Sequence, residues 1–149
     1  MRVTAAAKRV VSILGTGVTN GATVTANIDT IGFDFASIDL VLGTSNTVSN
    51  KPSTLKLSES DDTVVTNFAD ITAFVGGGTG GFTIPNADTA NANVYVFNVD
   101  CRGRKRYLKL TATPVTTQAA VMDARLSCAE EAPNTTSEFG TGVLAVVEG

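Results

Sequence analysis

The chain has 149 residues, 43% hydrophobic and 17% charged, with a formal net charge of -3 and no histidine. That length fits one domain with a real core, and the acidic balance argues against nucleic-acid binding as the main role. The lack of histidine removes Ser-His-Asp and Cys-His catalytic arrangements, together with the commonest zinc ligand.

Met1 to Ala7 is small and polar and is expected as a loose arm. Lys8 to Leu14 reads as a first strand, ended by Gly15 and Gly17. Its apolar run, Val10 to Leu14, is too short for a signal-peptide core, and no apolar stretch reaches the roughly 20 residues that cross a membrane. We expect synthesis in the cytoplasm and reduced cysteines at folding. Asn20-Gly21 is a turn signal. Val24, Ala26 and Ile28 then alternate with polar neighbours as a second strand. After the aromatic corner Ile31 to Phe35, Ile38, Leu40 and Leu42 alternate with Ser37, Asp39 and Val41 as a third.

A polar loop, Gly43 to Ser53, precedes a fourth strand carrying Leu55 and Leu57, and Glu59 to Asp62 is an acidic turn. Phe68, Ile71, Phe74 and Val75 lie at spacings of three and four, so a short helix is expected near 67–75. Gly76 to Gly81 is a glycine-rich loop. The clearest alternation follows, from Asn93 to Pro114. Tyr95, Phe97 and Val99 share one face and Val94, Val96 and Asn98 the other. Beyond Cys101-Arg102-Gly103-Arg104, Leu108, Leu110 and Ala112 face one way and Tyr107, Lys109 and Thr111 the other. This stretch is expected to be the central hairpin, with Gly103 at the position needing positive φ. Met122, Ala124 and Leu126 mark another strand, and Val143 to Val147 a last one.

About eight strands at even spacing predict an all-β fold, an antiparallel β-sandwich of which the jelly roll is one form, preferred to a closed barrel. Residues 1–9 are expected as a flexible arm and 10–149 as the single domain.

Few motifs carry chemistry. Gly76, Gly78 and Gly81 match G-x-G-x-x-G, but the dinucleotide fingerprint needs a strand before it and a helix after it, and Phe82 to Pro85 opens no helix. Ser53 and Lys56 match S-x-x-K, yet on a strand they fall on opposite faces. Glu59, Asp61 and Asp62 offer oxygen ligands to calcium without an EF-hand spacing, and suit a solvated turn better. Asp29, Asp34 and Asp39 imply no acid-base pair. Asn134-Thr135-Thr136 matches a glycosylation acceptor, which means nothing without secretion. Cys101 and Cys128 read as small buried hydrophobes. A thiolate activated by the neighbouring arginines is conceivable at Cys101, but it lacks a base. No cofactor and no metal site are expected.

Arg102, Arg104, Lys105 and Arg106 form the densest charge. Two readings stay open: a solvated turn, or a contact with an acidic partner surface through bidentate arginine bonds. Arg106 shares parity with Leu108 and Leu110, which marks it as a candidate structural ion-pair residue. Direct nucleic-acid contact is the weaker option.

Three stretches together carry a likeness: Asp29 to Gly43, Leu55 to Asp62, and Val99 to Leu110. On these the chain resembles capsid cement or decoration proteins encoded beside the major capsid protein in tailed bacteriophages, from about Thr23 to Leu126. The resemblance implies a β-sandwich on the capsid exterior. It also implies the major capsid protein as partner, self-association as dimer or trimer, and a stabilising role where capsomers meet. Its motifs are structural, not catalytic, so no enzymatic activity is expected; no membrane contact is expected from the lack of a long apolar span, and no direct nucleic-acid contact from the acidic balance. Many weak contacts around a symmetric shell would add through multivalency. Arg2, Lys8 and Arg9 of the arm join the basic cluster as candidate partner contacts, with the arm laid along a neighbouring subunit as an added strand. The alternative is a carbohydrate-binding or adhesive module of a phage appendage. The absence of tryptophan and the presence of only two tyrosines weigh against it.

Overall fold

The structure is a computed structural model that describes residues 7–18 as backbone, and residues 20–129, 140 and 144 in full. Eight strands form among them: β1 (Ala7–Val18), β2 (Val24–Asp29), β3 (Phe33–Leu42), β4 (Thr54–Ser60), β5 (Ala69–Val75), β6 (Asn93–Asp100), β7 (Tyr107–Thr113) and β8 (Gln118–Ala129). They make two antiparallel sheets in the orders β1-β8-β3-β6 and β2-β7-β4-β5. The pairs nest: β4 with β5, β3 with β6, β2 with β7, and β1 with β8. The chain is thus a long ribbon doubled back at the β4–β5 turn and rolled up, so that its two halves cross between sheets together. This is a jelly-roll order of strands.

Alternation decides which side of each sheet is buried, because successive side chains on a strand point to opposite faces. β6 alternates buried and exposed along its whole length. Ile38, Leu40 and Leu42 of β3, Phe97 of β6, and Met122 and Leu126 of β8 meet Leu55 and Leu57 of β4 and Leu108 and Leu110 of β7 in one core. Leu40, Leu57, Leu108 and Leu110 have no solvent exposure at all. Each such side chain contributes about 1.5–3 kcal/mol by leaving water.

The expected hairpin over Asn93 to Pro114 is not formed. β6 pairs with β3 in one sheet, whereas β7 pairs with β2 and β4 in the other. The connection from Cys101 to Arg106 is an arch between layers. Both strands still turn alternate residues into the core, so their pattern is the same in a hairpin and in an arch. The turn itself is as expected: Arg104 N–H donates to the Cys101 carbonyl at 3.0 Å, and Gly103 has φ 82°.

The expected helix near 67–75 is also replaced, by a short 3-10 turn at Val65–Asn67 followed by β5. Ser58 faces Asp70 and Lys56 faces Val75, so two steps on β4 oppose five on β5. That irregularity resets the parity of β5. Ile71 and Phe74 both belong to the core region, three residues apart, without a helix.

β1 begins at Ala7, inside the stretch expected as an arm. Lys8 and Arg9 sit opposite Leu126 and Arg125 of the same chain, so this added strand lies on its own sheet. Arg2 lies outside the described residues, as does the expected last strand, Val143 to Val147, apart from Leu144.

Candidate functional site

The nested order brings the β2–β3 and β6–β7 connections together at one pole, beside the β4–β5 turn. Thr30 donates through its N–H and its hydroxyl to the Arg106 carbonyl, at 3.0 and 2.7 Å. Cys101 N–H donates to the Asp34 carbonyl at 2.7 Å. The basic cluster lies along this seam, and each member meets an acid of the same chain. Arg102 grips Asp100 in a bidentate pair at 2.9 and 2.8 Å and lies over the Phe35 ring at 5.2 Å. Arg104 meets Glu59 at 3.6 Å and Lys105 meets Asp61 at 3.1 Å. Arg106 grips Asp29 at 2.9 and 2.7 Å and stacks over Tyr107. Arg106 is therefore an ion-pair residue, as its parity suggested, though it remains exposed rather than leaning into the core. Bidentate arginine pairs also fix geometry; the Arg106–Asp29 pair, with the Arg104–Glu59 and Lys105–Asp61 contacts, ties three connections together at one end of the sandwich.

The electrostatics agree. Arg102, through its side chain first and then its backbone N–H, holds the Asp100 carboxyl down at about 2. Asp62 is likewise lowered, chiefly by the Asn67 amide and then by the Val64 N–H. Those bonds hold the acidic turn around the 3-10 segment, and Glu59 also accepts from Lys105 N–H. Among the described residues, no group of three or more Cys, Asp or Glu is placed to hold a metal.

The other motifs resolve into structure. A Cβ on Gly81 would collide with the Val75 carbonyl oxygen, so this glycine serves close backbone approach. Ser53 donates to the Thr113 carbonyl and Lys56 pairs with Asp70, so they do not act on each other. Cys101 and Cys128 are both free, the first buried and the second exposed. Burial, and then Asp100, push the Cys101 thiol up to about 11. The activated thiolate conceived from the nearby arginines does not arise, since desolvation outweighs them.

A second surface was not visible in the sequence. On the outer face of the β1-β8-β3-β6 sheet, Val94 lies opposite Val41, and Val41 opposite Val121. Val96 stands in the next row, opposite Asp39. Val94 and Val96 are each 55% exposed. The outer face of the other sheet is polar, with Thr25, Asn27, Lys56 and Lys109. Alternation had placed each valine on a solvent side. What was missing was strand order, which alone sets residues 41, 94 and 121 side by side. A groove of about 400 Å³ runs beside this face, between Val94 to Asn98 and a wall of Phe74, Phe82 and Pro85. Phe74 and Phe82 each meet Phe97 edge-on, at 6.0 and 5.7 Å between ring centres. Tyr95 is buried.

No protein-family model matches the chain, and no curated protein matches it. Among solved structures it is similar to the native structure of a family 35 carbohydrate binding module from Clostridium thermocellum. The identity is 13% and the TM-score 0.31, over 78% of this chain and 90% of that one. At that score the similarity carries no argument about function.

Proposed function

We propose that the chain is a structural binding protein, a cement or decoration protein on the exterior of a tailed-phage capsid. It docks through the outer face of the β1-β8-β3-β6 sheet. One observation supports this most: Val94, Val96 and Val121 are exposed, with half-buried Val41 between Val94 and Val121, across three adjacent strands. Exposed apolar surface grouped in this way suits burial against another protein. The resemblance of Asp29 to Gly43, Leu55 to Asp62 and Val99 to Leu110 to capsid cement proteins supplies the partner, the major capsid protein.

In this reading the role is binding without catalysis. Each copy contributes a modest apolar contact, and repetition around the shell, with pairing into dimers or trimers, makes the attachment firm. The charged pole serves the copy's own rigidity, because its cations already face their own carboxylates. Co-sedimentation with shells of the major capsid protein tests the proposal. Saturable binding at a fixed ratio per capsomer that is lost in V94K/V96K supports it. Absence of binding to both immature and mature shells removes it.

A further inference from the structure

The connection from β1 to β2 carries the chain's only Asn-Gly step, Asn20-Gly21, and every other asparagine is followed by a residue with a side chain. Asn20 is exposed, and Gly21 turns at φ 75° with open space where a Cβ would stand. The pair suits a tight turn, because glycine adopts positive φ without strain. It also carries a reactivity that shell docking does not use. A glycine nitrogen, with no neighbouring Cβ to hinder it, can attack the side-chain carbonyl carbon of the asparagine before it. One bond stands against that attack. Gly21 N–H donates to the Pro114 carbonyl at 2.8 Å. Pro114 is buried just past β7, so this acceptor is a fixed anchor. Beside it, the Thr23 and Thr113 hydroxyls meet at 2.9 Å and hold the same two segments together. The nitrogen must shed the bonded proton and swing toward the Asn20 side chain, and both steps require the turn to leave Pro114.

We propose that Asn20 is a self-modification site of this chain, kept shut by the Gly21–Pro114 hydrogen bond. When that bond opens, the Gly21 nitrogen gives its proton to base and forms a bond to Cγ of Asn20. The Cγ–Nδ2 bond breaks and the side-chain amide leaves as ammonia, closing a five-membered imide. Water then opens the ring at either carbonyl. One opening leaves an ordinary aspartate at position 20. The other leaves an isoaspartate, whose backbone runs through the side chain and is one methylene longer. Either product adds one negative charge. The longer one lies just ahead of Val24, which opens the β2 ladder opposite Ala112, so it strains the entry to the second sheet. Conversion at Asn20 therefore records how often this turn has let go. The inference goes beyond the proposed function, and its test needs no shell.

Peptide mapping by mass decides it, on the full chain aged in mildly alkaline buffer with and without urea, beside a synthetic peptide of residues 16–25. In urea the amide-to-acid mass change should appear at Asn20 before any other asparagine, at the rate of the free peptide. In the folded chain it should be at least about tenfold slower. Hydrogen exchange at the Gly21 amide measures the opening independently. The slowing of conversion should be no smaller than the protection of that amide, because exchange and attack both start from the open turn. Equal conversion rates in the folded and urea-unfolded chains overturn the inference. So does a slowing smaller than the Gly21 protection, since the attack then proceeds with the bond to Pro114 in place. Earlier conversion of another asparagine in urea overturns it as well.

Discussion

The charged pole and the valine face are the two surfaces of this molecule that differ most from ordinary solvated strand, and they are built in opposite ways. The pole draws its cations from one short stretch, Arg102 to Arg106; Arg102 pairs with Asp100 just before it, and the other three find a carboxylate on another connection of the same chain. The face draws Val41, Val94 and Val121 from three distant strands and leaves Val94 and Val121 exposed on either side of half-buried Val41. Charge clustered in sequence can therefore be an internal clasp, while a docking surface can be scattered through the chain. For exposed ion pairs this division is physically reasonable, since each adds little to stability and acts more to orient its partners.

That contrast can be tested from the core outward. Both surfaces rest on one interior, so Leu40→Ala beneath the face and Leu110→Ala in the opposite sheet should each cost about 2–5 kcal/mol in denaturant unfolding. A large inequality between them would show that the sheets do not share their core. V94K/V96K should weaken shell binding by at least about tenfold while changing stability by less than about 1 kcal/mol, as exposed substitutions do. Replacing Arg102, Arg104, Lys105 and Arg106 together by Ala should leave shell binding intact and produce a smaller fall in Tm that shrinks as salt is raised. If binding is lost there and retained in V94K/V96K, the roles of the two surfaces are reversed.

The smallest effect is one of pH. The folded Asp100 carboxyl sits at about 2 against an ordinary 3.8. A depressed carboxyl contributes stability above 3.8 that disappears as pH falls through 2. Asp100→Asn should thus have a lower Tm than the parent above pH 4, and the two should converge near pH 2. A constant gap across that range would show that Arg102 does not hold the group.

How far these surfaces could be read beforehand follows from the same physics. The inward residues of β2, β3, β4, β6, β7 and β8 were legible because alternation is a local property. The arch at Cys101 to Arg106 was not, since Tyr95-Phe97-Val99 and Leu108-Leu110-Ala112 look alike whether their strands pair or oppose each other. The irregular pairing of β5 hid behind the helical spacing of Ile71 and Phe74. The acids opposite the basic cluster were visible as Asp29, Glu59 and Asp61, but nothing local told that three connections meet at one pole. The valine face needed strand order, which resides in long-range pairing.

The nesting of the pairs has a consequence for how the chain is made. β8 stands between β1 and β3, so it is both the last described strand to emerge from a ribosome and the one that joins its sheet. Until Ala129 has left the exit tunnel, β1 lacks its only sheet neighbour among the described residues. The β4–β5 turn is the first point at which pairing can begin, and from there the ribbon zips outward to partners ever farther apart in sequence. Such non-local closure is slow, on the order of milliseconds to seconds, and during that interval the valines and the unpaired edges are exposed together. A nascent chain halted before Gln118 is the species most in need of a chaperone.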